Sequence, residues 1–216
     1  MANIEIKTIG DSVANEIIEK KSRFIANVYN IESVAEAEEK INQIKKKYYD
    51  AKHNCFAFSV LEENQIKTKI SDDGEPSGTA GEPILNVIEK NKLQNILIIV
   101  TRYFGGILLG AGGLVRAYSN ASIEALNKAK IVKKELGNMI KVEISYSDNE
   151  KFKYYCNKNK INIVNVEYAE NIFYIIEIND EELEKIKFNH RVKKEDNMGN
   201  IISYVEMCRK YIQKAE

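Results

Sequence analysis

The chain has 216 residues, 44% hydrophobic and 30% charged, enough for one domain or two of ordinary size. Lys plus Arg and Asp plus Glu both number 32, so no net field draws the whole molecule to nucleic acid or lipid. Without a ~20-residue apolar run, a signal peptide's apolar opening or an even set of cysteines, it reads as a cytoplasmic protein with no membrane partner and no disulfide framework.

Residues from about Ile4 to Ile31 read as strands, with Phe24, Ala26 and Val28 alternating against Ile25, Asn27 and Tyr29. A helix is predicted from Ser33 to about Tyr48. Ser33 and Glu36 fit a capping box, and Val34, Ala37, Ile41, Ile44 and Tyr48 make one apolar face. Cys55–Leu61 and Ile66–Ile70 read as a hairpin around Glu62–Gln65. A glycine loop follows, then a helix from about Thr79 or Gly81 to Glu89, with Pro83 in its first turn. Ile96–Val100 is an unbroken apolar run, consistent with a strand buried on both faces. A second glycine loop leads into a long helix from about Gly112 to Lys130, with Leu114, Tyr118, Ala121, Ala125 and Ala129 as its buried stripe.

Lys133–Gly137 reads as a junction. Beyond it come a strand at Ile140–Tyr146, a helix from about Asp148 to Asn159, strands at Ile161–Tyr168 and Ile172–Ile178, a charged helix from about Asp180 and a last strand around Ile201–Met207. That βαββαβ order is the ferredoxin-like arrangement. An α+β protein of two domains, 1–134 and 138–216, is expected.

Both prolines and eight of the eleven glycines lie between Gly74 and Gly113. Glycine allows backbone angles and close approaches that a side chain forbids, so this window reads as a shaped loop surface where recognition takes place. In the second loop a strand runs through Gly105, Gly106, Gly110, Gly112 and Gly113 into a helix. Free amides and the positive helix end there suit an anion, with Arg102 and Arg116 adding guanidinium groups. No Lys-Ser or Lys-Thr follows Gly110, so this is not a nucleotide P-loop, and the dinucleotide pattern fails as well. Close helix–sheet packing is the alternative use of the same glycines.

The first loop sets Asp72, Asp73 and Glu75 beside Ser77 and Thr79. Such carboxylates can hold a divalent cation or act as acid and base. They also cap helices and build turns, and they can pair internally with Arg102 or Arg116. A structural or docking role is the stronger reading, because no His, Cys or Lys lies in the phrase, though His53 could arrive from elsewhere. His53 with Cys55 offers too few ligands for a metal site. Lys20, Lys21 and Arg23, with Lys45–Lys47 and Lys52, form a basic patch if the fold gathers them. Tyr29, Tyr48, Tyr49, Tyr103 and Phe104 are candidates for stacking on bases, against a bland reading as core aromatics.

The phrases Lys20-Lys-Ser-Arg-Phe24, Ala51 with His53 and Cys55, Ser71-Asp-Asp-Gly-Glu-Pro-Ser-Gly-Thr-Ala-Gly81 and Thr101 through Tyr118 resemble the YigZ/IMPACT family, over about residues 14–132. The remainder resembles the small second domain of its bacterial members. The resemblance implies an N-terminal βαβ domain with the fold of ribosomal-protein and elongation-factor domains that meet RNA. It also implies a C-terminal domain similar to the last domain of elongation factor G. Contact with RNA, the ribosome or a translation-associated protein follows from it. Family members have sometimes been labelled peptidases, but the residues here offer no metal-ligand set, and no catalytic residue, cofactor or metal is expected. Eukaryotic relatives restrain a translational-control kinase by binding its activator.

A dedicated RNA binder usually carries a marked basic excess, and this chain has none. Binding is therefore expected to be weak, shape-driven or shared with protein. The leading expectation is a non-catalytic regulator. Two others stand beside it: an enzyme acting on a phosphorylated small molecule through a carboxylate-held metal, and a pure protein-interaction module.

Overall fold

A computed structural model of the chain describes residues 5–62, 65–192 and 198–213. Ile6–Val132 forms one compact unit; the described residues from Lys133 onward, with Glu5, form another. The expected hairpin tip at Glu63-Asn64 and the strand start at Ile4 lie outside the described residues.

In the first unit the elements are β1 (Glu5–Ile9), β2 (Val13–Glu19), β3 (Ser22–Asn30), α1 (Val34–Lys47), β4 (His53–Glu62), β5 (Gln65–Ser71), α2 (Gly81–Lys90), β6 (Ile96–Tyr103) and α3 (Ala111–Leu126). Five strands make a sheet in the order β2-β3-β6-β4-β5, antiparallel at every step. Since β3 and β4 both run against β6, β3–α1–β4 is a βαβ crossover with β6 between its strands.

The apolar run on β6 is buried on both faces, as its composition predicts. Ile96, Ile98 and Val100 face α2 and α3, packing with Ile84, Ile88, Tyr118 and Ala121. Leu97 and Ile99 face α1, with Ile41, Ile44 and Phe58. Truncating a fully buried isoleucine such as Ile98 to alanine costs roughly 2–5 kcal/mol. The α1 cap differs slightly from the box expected. Ser33 Oγ accepts the Glu36 amide at 3.1 Å, but the Glu36 carboxylate accepts the Glu32 amide, at 2.8 Å, instead of that of Ser33.

The second unit comprises most of β7 (Ile131–Ile144), then α4 (Asn149–Lys158), β8 (Asn162–Tyr168), β9 (Ile172–Ile178), α5 (Asp180–Val192) and β10 (Ile201–Gln213). Its strands pair in the order β10-β7-β9-β8, all antiparallel, which is the ferredoxin-like sheet. Ile140, Val142, Ile144, Phe152, Tyr174 and Ile186 are buried in its core.

The boundary is where expectation and structure part. Lys133–Gly137 is not a junction but part of β7, and β10 runs to Gln213, well past Met207. Lys134 to Gly137 pair with Gln213 to Lys210, and that pairing supplies a strand which the charged local composition does not announce. The division between the units falls between Val132 and Lys133.

Candidate functional site

Strand parity decides where Arg102 goes. It shares a face with Ile98 and Val100, so its side chain enters the core beneath α3. There Arg102 Nη1 lies 2.7 Å from Glu75 Oε1, with the two side chains only 7% and 4% exposed. The Tyr118 hydroxyl donates to the same oxygen at 2.8 Å, and the Cys55 thiol donates to that hydroxyl at 3.3 Å. The guanidinium lies 5.5 Å from the ring centres of both Phe24 and Phe104. Arg102 was expected to face a phosphate or an acidic partner group; instead it is occupied inside the fold by Glu75. Burial pushes the Cys55 thiol up to about 12. Burial first, then the nearby Cys55 and Glu75, push the Tyr118 hydroxyl up too, so both groups stay protonated near neutrality.

The other two loop carboxylates are engaged as well. Asp72 accepts the amides of Gly78, Ala80 and Gly81, each at 2.9 Å, and so caps α2, whose own N-cap Ala80 has no side chain to do it. Burial raises the Asp72 carboxyl, but those three amides outweigh it and hold the group below the usual aspartate value. Asp73 accepts the Asn54 amide at 2.7 Å and Lys45 Nζ at 2.8 Å. Its carbonyl meets His53 Nδ1 at 3.0 Å. Thr79 is buried and its hydroxyl donates to the Pro76 carbonyl at 2.6 Å, while Ser77 is exposed. The three carboxylates thus point at three different sets of donors. Among the described residues no three His, Cys, Asp or Glu side chains converge as a metal site would require. Arg116 takes no part in this internal pairing.

The second loop is the open part of the region. Gly106 and Gly110 have φ of 84° and 71°, which favour glycine. Gly105 is set by contact: a Cβ there would lie 2.0 Å from the backbone carbon of Lys21, and its amide reaches Ser22 Oγ at 3.2 Å. The loop therefore rests on the β2–β3 turn. Lys20 and Lys21, both at positive φ, form the tip of that two-residue hairpin. Leu109 packs into the core and against Gly113, where a Cβ would come within 2.9 Å. Arg116 Nη1 lies 3.9 Å from the Cβ position of Gly112. Gly110, the N-cap of α3, supplies no side-chain hydrogen bond to the helix start. Lys20, Leu109, Gly113, Arg116 and Asn120 surround a hollow of about 100 Å³, with Glu19 also at its rim.

The loop's tip is apolar and exposed. Phe104 is 54% exposed, Ile107 42% and Leu108 83%. Ile107 and Leu108 were not foreseen as site residues; the available signal was two large aliphatics inside a glycine loop with no periodic partners. Tyr103 is half-buried on the opposite sheet face, its hydroxyl donating to Asp50 at 2.7 Å with the Arg23 guanidinium over its ring. Part of the wider basic patch is neutralised by carboxylates. Arg23 pairs with Glu16 and Lys45 with Asp73, while Lys20 and Lys21 remain beside the loop.

Known proteins match this chain across these parts. A family model described as the Impact N-terminal domain covers residues 20–126, including the Lys20-Lys21 turn and both glycine loops. The chain is 36% identical to IMPACT family member YvyE of Bacillus subtilis over 214 residues, 97% of each. It is 39% identical over 118 residues to IMPACT family member YigZ of Escherichia coli, covering 54% of this chain and 57% of that one. A crystal structure described as that of a hypothetical protein superposes with a TM-score of 0.62 at 26% identity, covering 88% of this chain and 93% of its own. By sequence over nearly its whole length, and by the domain that carries both loops, the chain belongs to the IMPACT family.

Proposed function

We propose that this protein is a non-catalytic cytoplasmic regulator that binds RNA or a ribosome- or translation-associated partner through the surface around the Gly105–Gly113 loop. The observation that carries the reading is the contrast between the two glycine phrases. The acidic one is closed on itself, each carboxylate engaged by amides, Lys45 or Arg102. The other exposes backbone and apolar side chains beside Lys20, Lys21 and Arg116, none of which pairs with a described residue. Phosphate or carboxylate groups of a partner would meet those cations and the open amides at the start of α3. Phe104 would pack against the partner, and Asp72, Asp73 and Glu75 would hold the rim in shape. The ferredoxin-like unit would contribute a second contact in the manner of the last domain of elongation factor G.

Sedimentation with ribosomes tests this. The full chain should pellet at low salt and be released as salt rises, because phosphate contacts exchange with counterions. Arg116→Ala and Lys20→Ala/Lys21→Ala should each weaken pelleting without lowering thermal stability. Pelleting that ignores both salt and these changes would count against the surface.

A further inference from the structure

We infer that the glycine-loop surface docks a protein segment that is both acidic and rich in large apolar side chains, its carboxylate seated in the hollow between Lys20 and Arg116 and its apolar residues covering Ile107 and Leu108. The inference rests on the binding role proposed above and names the kind of partner. It stands on three observations that agree.

The hollow is small. A carboxylate-bearing side chain fits between its walls. Its polarity is defined by Lys20 and Arg116, which make no hydrogen bond or ion pair with any described residue, against the single carboxylate of Glu19. A net positive hollow calls for an anionic visitor.

The tip beside it is aliphatic. Leu108 is 83% and Ile107 42% exposed, and neither offers the flat π surface on which a base stacks. Phe104, the aromatic at this tip, has the Arg102 guanidinium on one side of its ring and is otherwise exposed. Water contact for such side chains is unfavourable, and only an apolar partner relieves it. The tip is also preorganised. Gly105 is pressed on the Lys21 backbone and Leu109 is anchored in the core, so little ordering cost attends docking. RNA, with its phosphates and planar bases, would satisfy the cations and leave the aliphatic tip wet.

The test uses the full-length protein and a panel of short fluorescein-labelled peptides in which leucine and glutamate alternate at varied spacing. Matching leucine–lysine peptides and oligouridylate serve as the competing chemistries, with fluorescence anisotropy as the readout. At least one leucine–glutamate peptide should bind. Leu108→Asp and Arg116→Glu should each weaken it about tenfold or more, as expected for losing one buried aliphatic or one charge contact. Both positions are exposed, so thermal melts of the variants should match the parent. Oligouridylate that displaces the peptide, or binds more tightly with the same dependence on Arg116, overturns the inference in favour of RNA. Binding of no leucine–glutamate peptide, or binding indifferent to both substitutions, also overturns it. In either case ribosome pelleting that depends on Arg116 leaves the broader binding role standing.

Discussion

Arg102 and Glu75 form an ion pair of 2.7 Å that is almost wholly withdrawn from water. Far apart in sequence, they tie the acidic loop to the end of the central strand, and Tyr118 adds a second donor from α3 to the same carboxylate. Such a pair is worth little over an apolar substitute, but breaking it strands a buried charge. Glu75→Ala should therefore lower unfolding free energy in urea by roughly 3–5 kcal/mol. The double change Glu75→Leu/Arg102→Met should lose clearly less than the sum of the single ones. Additive losses would show that the two residues do not act as a pair.

Tyr118→Phe keeps the ring against Phe24, at 5.2 Å between centres, and removes only the hydroxyl. The Glu75 carboxylate then loses one of its two donors, and the Cys55 thiol its acceptor on the ring. A cost of about 1–3 kcal/mol is expected in the same urea titration, well below that of breaking the ion pair.

The thiols should separate by reactivity. Burial pushes Cys55 and Cys156 to about 12, whereas Cys208 is exposed on β10. At pH 8 an aromatic disulfide reagent should label Cys208 quickly and the other two only after denaturation. Rapid modification of two or three thiols in the native protein would contradict the packing around Cys55 and Cys156.

Asp72 is stabilised in its charged form on folding, so its folded pKa lies below the unfolded one, which is near ~3.9. Its contribution is present in full above that value and is lost as pH falls through the lower folded value. Asp72→Ala removes the cap of α2 and should cost about 1–2 kcal/mol at neutral pH. Melting temperatures across pH 2–7 should show the gap between variant and parent narrowing on the acid side. A constant gap down to the lowest pH would mean the carboxylate charge is not what holds the helix start.

Gly105→Ala should be among the most damaging single-methyl changes in the first unit. The added carbon would meet backbone, at 2.0 Å from carbon and 2.1 Å from oxygen of Lys21, where no rotamer change gives relief. Overpacking of this kind costs roughly 1–3 kcal/mol, and the loop must lift off the turn to escape it. Ribosome pelleting should fall along with stability. At Gly106 nothing lies within 4 Å of the Cβ position, so Gly106→Ala carries only the strain of φ 84° and should cost less.

Much of the fold was legible because periodicity and burial coincide. The stripe on α3, the doubly buried β6 run and the Ser33 cap were each written in local spacing, and the structure shows them. The second unit's βαββαβ order was readable for the same reason. The start of β7 was not, since its partner is the far end of the chain and long-range pairing leaves no local trace. The glycine window was locatable, yet the fate of its charges was not. In a strand covered on both sides, alternation says that Arg102 and Tyr103 diverge without saying which face is covered at their end. The face that Arg102 shares with Ile98 and Val100 is the one covered by α3, where Tyr118 and Glu75 meet it.

The hairpin tip at Lys20-Lys21 has one more implication. Reversals of this kind usually tolerate an inserted residue, because nothing leans on them. Here the tip is a floor for Gly105, so lengthening it by one amino acid would unseat a segment far along the chain while leaving the strands themselves free to pair. Its brevity is as much a requirement of the distant loop as of the hairpin.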